Sequence, residues 1–224
     1  ITDAGGVHIT NVANYKRLDQ YNVDEDSVQA VIEDLGLAQY KLVIIYIGFL
    51  FAHRGVVELA QAVAQDEEVG LIVAGRGDST PEIEKIAAQY PNIHWLGWMR
   101  LDDVPVYTRA ADVIYCWLPD EPDMQVCTPN KLFDSIASGR AIIAHKGVGE
   151  MSTLIEKHGF GYLVDNHSIA SLTEVFDELK NPDVRIAMQQ KATNLQDTFN
   201  WKTSERRLLD LYGTLLQDQN IPDA

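Results

Sequence analysis

From Lys41 onward, short apolar and β-branched runs alternate with stretches of helical spacing, and no other feature limits the fold of this chain as much. The runs fall at residues 42–47, 70–74, 93–96, 112–117, 141–144 and 161–164. Helical patterns lie between them near 55–64, 81–89, 102–110, 129–138 and 150–157. LVIIYI (42–47) and AIIA (141–144) are apolar at nearly every position instead of every second one. Such strands must be covered on both faces, the situation of a parallel sheet between two helix layers. Strict β–α alternation with right-handed crossovers then predicts a doubly wound, mostly parallel six-stranded α/β sheet of Rossmann-like type. Ligands of such sheets bind beyond the carboxyl ends of the strands, so the loops after each strand are where chemistry is to be sought.

The tail reads as helix. Ser168 can cap a helix whose Leu172, Val175, Phe176 and Leu179 share one face, and Asn181-Pro182 ends it. A second helix runs to about Leu195. Asn200 can cap a last one, with Trp201, Leu208, Tyr212, Leu215 and Leu216 on one side. Before Lys41, residues 7–10 read as a strand and 26–35 as a helix ended by Gly36.

The bulk properties narrow the function. With 224 residues and 46% hydrophobic content, one large globular α/β domain is allowed. No apolar stretch reaches the roughly 18–20 residues of a membrane span. The opening residues lack a Met and a secretory leader, so the chain reads as part of a longer, cytoplasmic protein, with membrane contact left to the parent enzyme. Two cysteines, Cys116 and Cys127, are too few for a disulfide scaffold, and the six histidines show no ligand spacing, so no metal is expected. A formal net charge of −15 argues against nucleic acid and makes any anionic ligand depend on a few placed cations and helix N-termini. The four tryptophans, spread along the chain, read as core or interface.

Four loops could carry chemistry. After the first strand, Gly48 lets a ligand approach the backbone, and Arg54 stands before a helix as a diphosphate clamp or as a solvent-exposed arginine. The Gly-x-Gly-x-x-Gly dinucleotide fingerprint is absent there, which disfavours a dehydrogenase domain. After the second, Gly75-Arg76-Gly77 reads equally as a ligand contact or a tight turn. TPNKLFDSIASG (128–139) has Thr128 suited to the N-cap, Pro129 to the first helical position and Gly139 to the stop. Leu132, Phe133 and Ile136 can bury while Asn130, Lys131 and Asp134 share the other side, as an anion and ribose site or as a plain surface pair. Finally, Gly147 and Gly149 put bare amides beside Lys146, with Glu150 in the first turn of the next helix.

In this order the segments resemble the C-terminal, donor-binding domain of the group-1 retaining glycosyltransferases of GT-B architecture. IIYIGFLFAHRGVVELAQAV, LIVAGRGD, TPNKLFDSIASGRAIIAHKGVGEMSTLIEKHGFGYLVD and FNWKTSERRLLDLYGTLL carry the resemblance. It implies a nucleoside-diphosphate sugar as substrate, no cofactor or metal, and a glycan or lipid-linked acceptor held by a missing N-terminal domain. Arg54 would meet the donor diphosphate; Lys131 and the backbone at Thr128, Pro129 and Asn130 would lie near the phosphates or the sugar. Asp134 would bind the ribose, and Gly48, Gly147 and Gly149 would line the cleft. Residues 1–40 would be the hinge from the missing domain, 41–200 the nucleotide-sugar domain and 201–224 the terminal helix and tail. Phe49 stands where many members carry a second arginine, Val126 where the first carboxylate of a Glu-x7-Glu pair belongs, and Ala141 replaces a common proline; Asp134 is one methylene shorter than the usual glutamate. A sugar-nucleotide epimerase of the same architecture and a non-catalytic module with a decayed donor site are the alternatives.

Overall fold

The computed structural model describes the backbone of residues 3–4 and 7–218 and the side chains of residues 9–216. Two short antiparallel strands, β1 (Asp3–Ala4) and β2 (Val7–His8), precede helices α1 (Leu18–Tyr21) and α2 (Glu25–Asp34). Gly36 follows α2 in the left-handed region, as expected of a helix stop. The strand expected over 7–10 is thus shorter, and the last residues of the expected tail, 219–224, lie outside the described residues.

The alternating region forms β3 (Leu42–Ile47), α3 (Val56–Val63), β4 (Val69–Ala74), α4 (Thr80–Gln89), β5 (Ile93–Trp95) and α5 (Val104–Ala110). It continues with β6 (Val113–Cys116), α6 (Asn130–Ser138), β7 (Ala141–His145), α7 (Gly149–His158) and β8 (Gly161–Val164). All six strands pair in parallel in the order β5-β4-β3-β6-β7-β8. The chain therefore winds outward one way from β3 and the other way from β6. The crevice between these two strands, at their carboxyl ends, is the switch point where ligands of such sheets lie.

Two apolar layers explain the near-continuous strands. Leu42, Ile44 and Tyr46 of β3 pack with α3 and α4 on one face, together with α8 (Ile169–Leu179). Val43 and Ile45 pack with α2, α5, α6 and α7 on the other, together with α9 (Pro182–Thr193). Each β3 side chain from Leu42 to Tyr46 is at most 5% exposed, so neither face of the strand tolerates a polar residue.

Ser168 caps α8 by accepting from the Ser171 amide, and Asn181 caps α9 ahead of Pro182. Asn200 behaves differently from the expected N-cap. Its Nδ2 donates to the carbonyls of Gln196 and Asp197, closing the turn before α10 (Trp201–Asp218), while its Oδ1 is buried without a partner. Trp201 is half-buried; the expected stripe on α10 is solvent-facing, with Tyr212, Leu215 and Leu216 exposed.

Candidate functional site

The site begins where β3 stops. Gly48 sits at φ 146°, and a Cβ added there would lie 3.0 Å from Lys131 Nζ. The next loop is pressed against it backbone to backbone: a Cβ on Gly75, at φ 138°, would come within 1.8 Å of the Gly48 carbonyl oxygen. Gly77 is similarly placed, its would-be Cβ 2.4 Å from the Leu50 carbonyl. The Gly-x-Gly after β4 thus serves close packing of two loops, and Arg76 between them is exposed to solvent.

Arg54 ends a 3-10 turn, Ala52–Arg54, and Gly55 at φ 63° turns the chain into α3, so the helix starts one residue later than expected. Lys131 comes from the first turn of α6, on the opposite side of the switch point. Its Nζ lies 4.7 Å from the centroid of the Tyr46 ring, a cation–π contact that anchors it over the end of β3. Burial pushes the Lys131 ammonium below its ordinary range; the nearby Cys116 thiol opposes this, and the Arg54 guanidinium adds to it. Arg54 therefore lies close enough to act on the Lys131 charge. Among the described residues neither has a carboxylate within ion-pair distance. Two uncompensated cations in this crevice are an electrostatic seat for an anion. Burial also pushes the Cys116 thiol up to about 11.

α6 departs from the expected capping. Pro129, at φ −70° and ψ 145°, holds the cap position, and Asn130 is the first helical residue. Thr128 turns away and donates through Oγ1 to Glu150 Oε2 at 2.9 Å, tying the start of α6 to that of α7. Leu132, Phe133 and Ile136 are buried, as the spacing required. The surface pair between Lys131 and Asp134 does not form. The two side chains point to different neighbours: Lys131 to β3, and Asp134 to the N-terminal segment. Asp134 Oδ1 accepts from Tyr21 Oη at 2.5 Å and pairs with Lys16 Nζ at 3.0 Å. Asn130 likewise accepts from Asn14 Nδ2 at 2.7 Å.

Gly147 and Gly149 both adopt positive φ, 73° and 68°. Their amides are not bare: Gly147 N–H donates to Ser152 Oγ and Gly149 N–H to Gln125 Oε1. A Cβ on Gly147 would meet nothing within 4 Å, whereas one on Gly149 would strike the Cys127 carbonyl at 2.7 Å. Gly147 is the open one of the two. Phe49 and Trp98 stand exposed at the rim with Phe49 stacked on Phe51, and Val126 is 84% exposed. Of the tryptophans expected in core or interface positions, Trp98 lies outside the core and Trp117 is buried in it.

A family model described as glycosyl transferases group 1 matches residues 41–181, more than half of the chain. This chain belongs to the group 1 glycosyl transferases. A relative, the D-inositol 3-phosphate glycosyltransferase of Corynebacterium kroppenstedtii, is 27% identical over 226 residues, covering 94% of this chain and 49% of its own length. The chain spans about half the length of the relatives it matches. The fold recurs in the crystal structure of Anabaena HepE in complex with UDP and glucose, with a TM-score of 0.75 and 17% identity over 90% of this chain and 56% of that one. It recurs in the C-terminal domain of a group 1 glycosyl transferase, LpcC, from Francisella tularensis, with a TM-score of 0.61 and 20% identity over 81% of this chain and 96% of that one. These neighbours establish a Rossmann-like domain of GT-B type.

Within this group 1 domain, Gly48 and Lys131 meet at the switch point, with Arg54 close enough to act on the Lys131 charge. Asn130 and Asp134 lie on the neighbouring face of the same helix, and Gly147 and Gly149 stand at the start of α7. Sequence reasoning missed Tyr46, Lys16 and Tyr21. Tyr46 looked like one more core position of a strand; Lys16 and Tyr21 lie more than a hundred residues from Asp134, and no local spacing links them.

Proposed function

We propose that this chain is the donor-binding C-terminal half of a glycosyltransferase of hexosyltransferase type. The parent enzyme transfers a sugar from a nucleoside-diphosphate donor to a glycan or lipid-linked acceptor, with retention at the anomeric carbon. The observation that carries the reading is Lys131 held beside Gly48 at the switch point with the Arg54 cation acting on it, neither having an acid partner among the described residues, in a chain of net charge −15. The presence of UDP and glucose in the HepE structure supports the donor class.

As the glycosidic bond breaks, negative charge collects on the departing diphosphate. Arg54, Lys131 and the backbone amides of Thr128 and Asn130, on either side of Pro129, stabilise that charge, which is electrostatic catalysis of the oxyanion kind and needs no metal in this reading. Asp134 accepts from the ribose, and Gly48, Gly147 and Gly149 line the donor cleft. Residues 1–40 lead in from the N-terminal half, which carries the acceptor site and any general base; 41–200 hold the donor, and 201–224 form the terminal helix and tail. Free thiols at Cys116 and Cys127 fit a cytoplasmic setting.

Titration calorimetry of this chain with UDP, GDP and ADP tests the reading. Weak binding of at least one nucleotide is expected, reduced about tenfold or more by Arg54→Ala or Lys131→Ala, since each removes a charge-assisted bond. No sugar transfer to simple acceptors is expected from the chain alone. Transfer by the isolated chain would overturn its assignment as half an enzyme. Phe49 and Val126, both exposed at positions the family reserves for charged groups, favour a second reading as a non-catalytic module. Absence of nucleotide binding even by the full-length protein would favour it.

A further inference from the structure

The Asp134 carboxylate is held by a part of the chain that lies outside the stretch matched to the family, residues 41–181. Oδ1 takes both the Tyr21 hydroxyl at 2.5 Å and the Lys16 ammonium at 3.0 Å. Oδ2 has no hydrogen-bond partner among the described residues, and it is not among the sealed, unsatisfied atoms. One oxygen is committed and the other is reachable.

The holding segment is itself fixed. The Lys16 carbonyl accepts from the Trp201 amide at 2.9 Å, and the Ala13 carbonyl accepts from Ser204 Oγ at 2.7 Å, both at the start of α10. Between them, the Tyr15 ring stands edge-on to Phe133 of α6 and to Phe199, with centroids 4.8 and 5.6 Å away. Lys16 and Tyr21 are therefore presented to Asp134 from a braced backbone. Tyr21 is buried, and Lys16 is about a quarter exposed, at 26%.

We infer that Lys16 and Tyr21 are positioning residues for the ribose end of the donor site: they orient Asp134 so that Oδ2 accepts from the ribose diol. This rests on the donor reading above. An aspartate reaches less far than the glutamate usual at this position, so its carboxylate depends more on being aimed. Two donors on the same oxygen fix the side-chain torsions that a lone aspartate would leave free. The alternative consequence of the same contact, that Tyr21 and Lys16 block Asp134 until a ligand displaces them, has the opposite sign and is distinguished by measurement.

Calorimetry with UDP, GDP and ADP, each paired with its 2′,3′-dideoxy form, separates these cases in the wild type, Tyr21→Phe, Lys16→Met and Asp134→Asn. The wild type is expected to prefer the ribose form about tenfold, the scale of a hydrogen bond to a charged group. Tyr21→Phe and Lys16→Met should each weaken ribonucleotide binding about three- to tenfold and leave dideoxy binding unchanged, moving the ratio toward that of Asp134→Asn. A purely structural loss would lower both forms equally, which would overturn the inference. A ratio unchanged in both variants, or tighter ribonucleotide binding in either, would overturn it too. Should Tyr21→Phe fail to fold, Lys16→Met keeps the test, because Lys16 is not part of the core. Failure of the wild type to bind any nucleotide removes the donor reading and this inference with it; binding without discrimination removes the inference alone.

Discussion

Lys131 shows how much one side chain's setting decides. A lysine in the first turn of a helix is ordinarily a solvated charge, yet here its ammonium is held against the Tyr46 ring and beside Gly48. Burial favours the neutral amine and so lowers the pKa from the ordinary 10.5. A bound diphosphate adds negative charge and pushes it back up, so binding takes up protons wherever the free lysine has begun to lose its own. Nucleotide affinity should therefore fall as pH rises through a value below 10.5, and Lys131→Met should abolish this alkaline limb. Calorimetry in buffers of different ionisation enthalpy reads the proton uptake directly. Folding stability carries the opposite sign: between the lowered pKa and 10.5 the unfolded chain binds the extra proton, so stability rises with pH across that window.

At the scale of elements, the two loops that follow β3 and β4 act as one piece. The Gly48 amide donates to the Ala74 carbonyl at 2.9 Å, the Leu50 amide to the Arg76 carbonyl at 3.1 Å, and the Ser79 amide to the Leu50 carbonyl at 2.9 Å. Gly75 lies where these backbones touch, in a conformation that L residues rarely adopt. Gly75→Ala combines that strain with a clash against the Gly48 carbonyl, and it should destabilise the fold by at least about 2 kcal/mol in urea unfolding. Nucleotide binding in the surviving native fraction should drop as well, because the displaced Gly48 carries Lys131 with it. That Gly75-Arg76-Gly77 serves packing, with Arg76 in solvent, was undecidable from the sequence. A Gly-x-Gly after a strand has the same local form in a turn, a ligand loop and a backbone contact, and only the position of the neighbouring loop tells them apart.

The whole molecule sets the electrostatic conditions under which the site works. A net charge of −15 repels an anionic donor at long range, while Arg54 and Lys131 attract it only nearby. Salt shortens the reach of both, from about 30 Å at 0.01 M to about 8 Å at 0.15 M, so it removes the global repulsion before the local attraction. The association rate constant for UDP should thus rise between these two ionic strengths, measured by stopped flow; a steep fall would mean that the crevice field, not the global one, governs encounter. No helix among the described residues is long and apolar enough to cross a membrane.

The six strands, their parallel pairing and their two-sided burial were legible in the sequence, because burial on both faces forces apolar residues at consecutive positions and leaves an unmistakable pattern. Strand ends moved by one residue at most between expectation and structure. Residue types at the strand ends also marked Arg54, Lys131 and Asp134 as worth following. What those side chains touch was decided by tertiary structure alone. The handover of Asp134 from Lys131 to Lys16 and Tyr21, the turn of Thr128 toward Glu150, and the shelter of Lys131 over Tyr46 each depend on segments distant in the chain. Periodicity records which face of an element is buried, whereas a hydrogen bond between remote polar groups leaves no periodic trace.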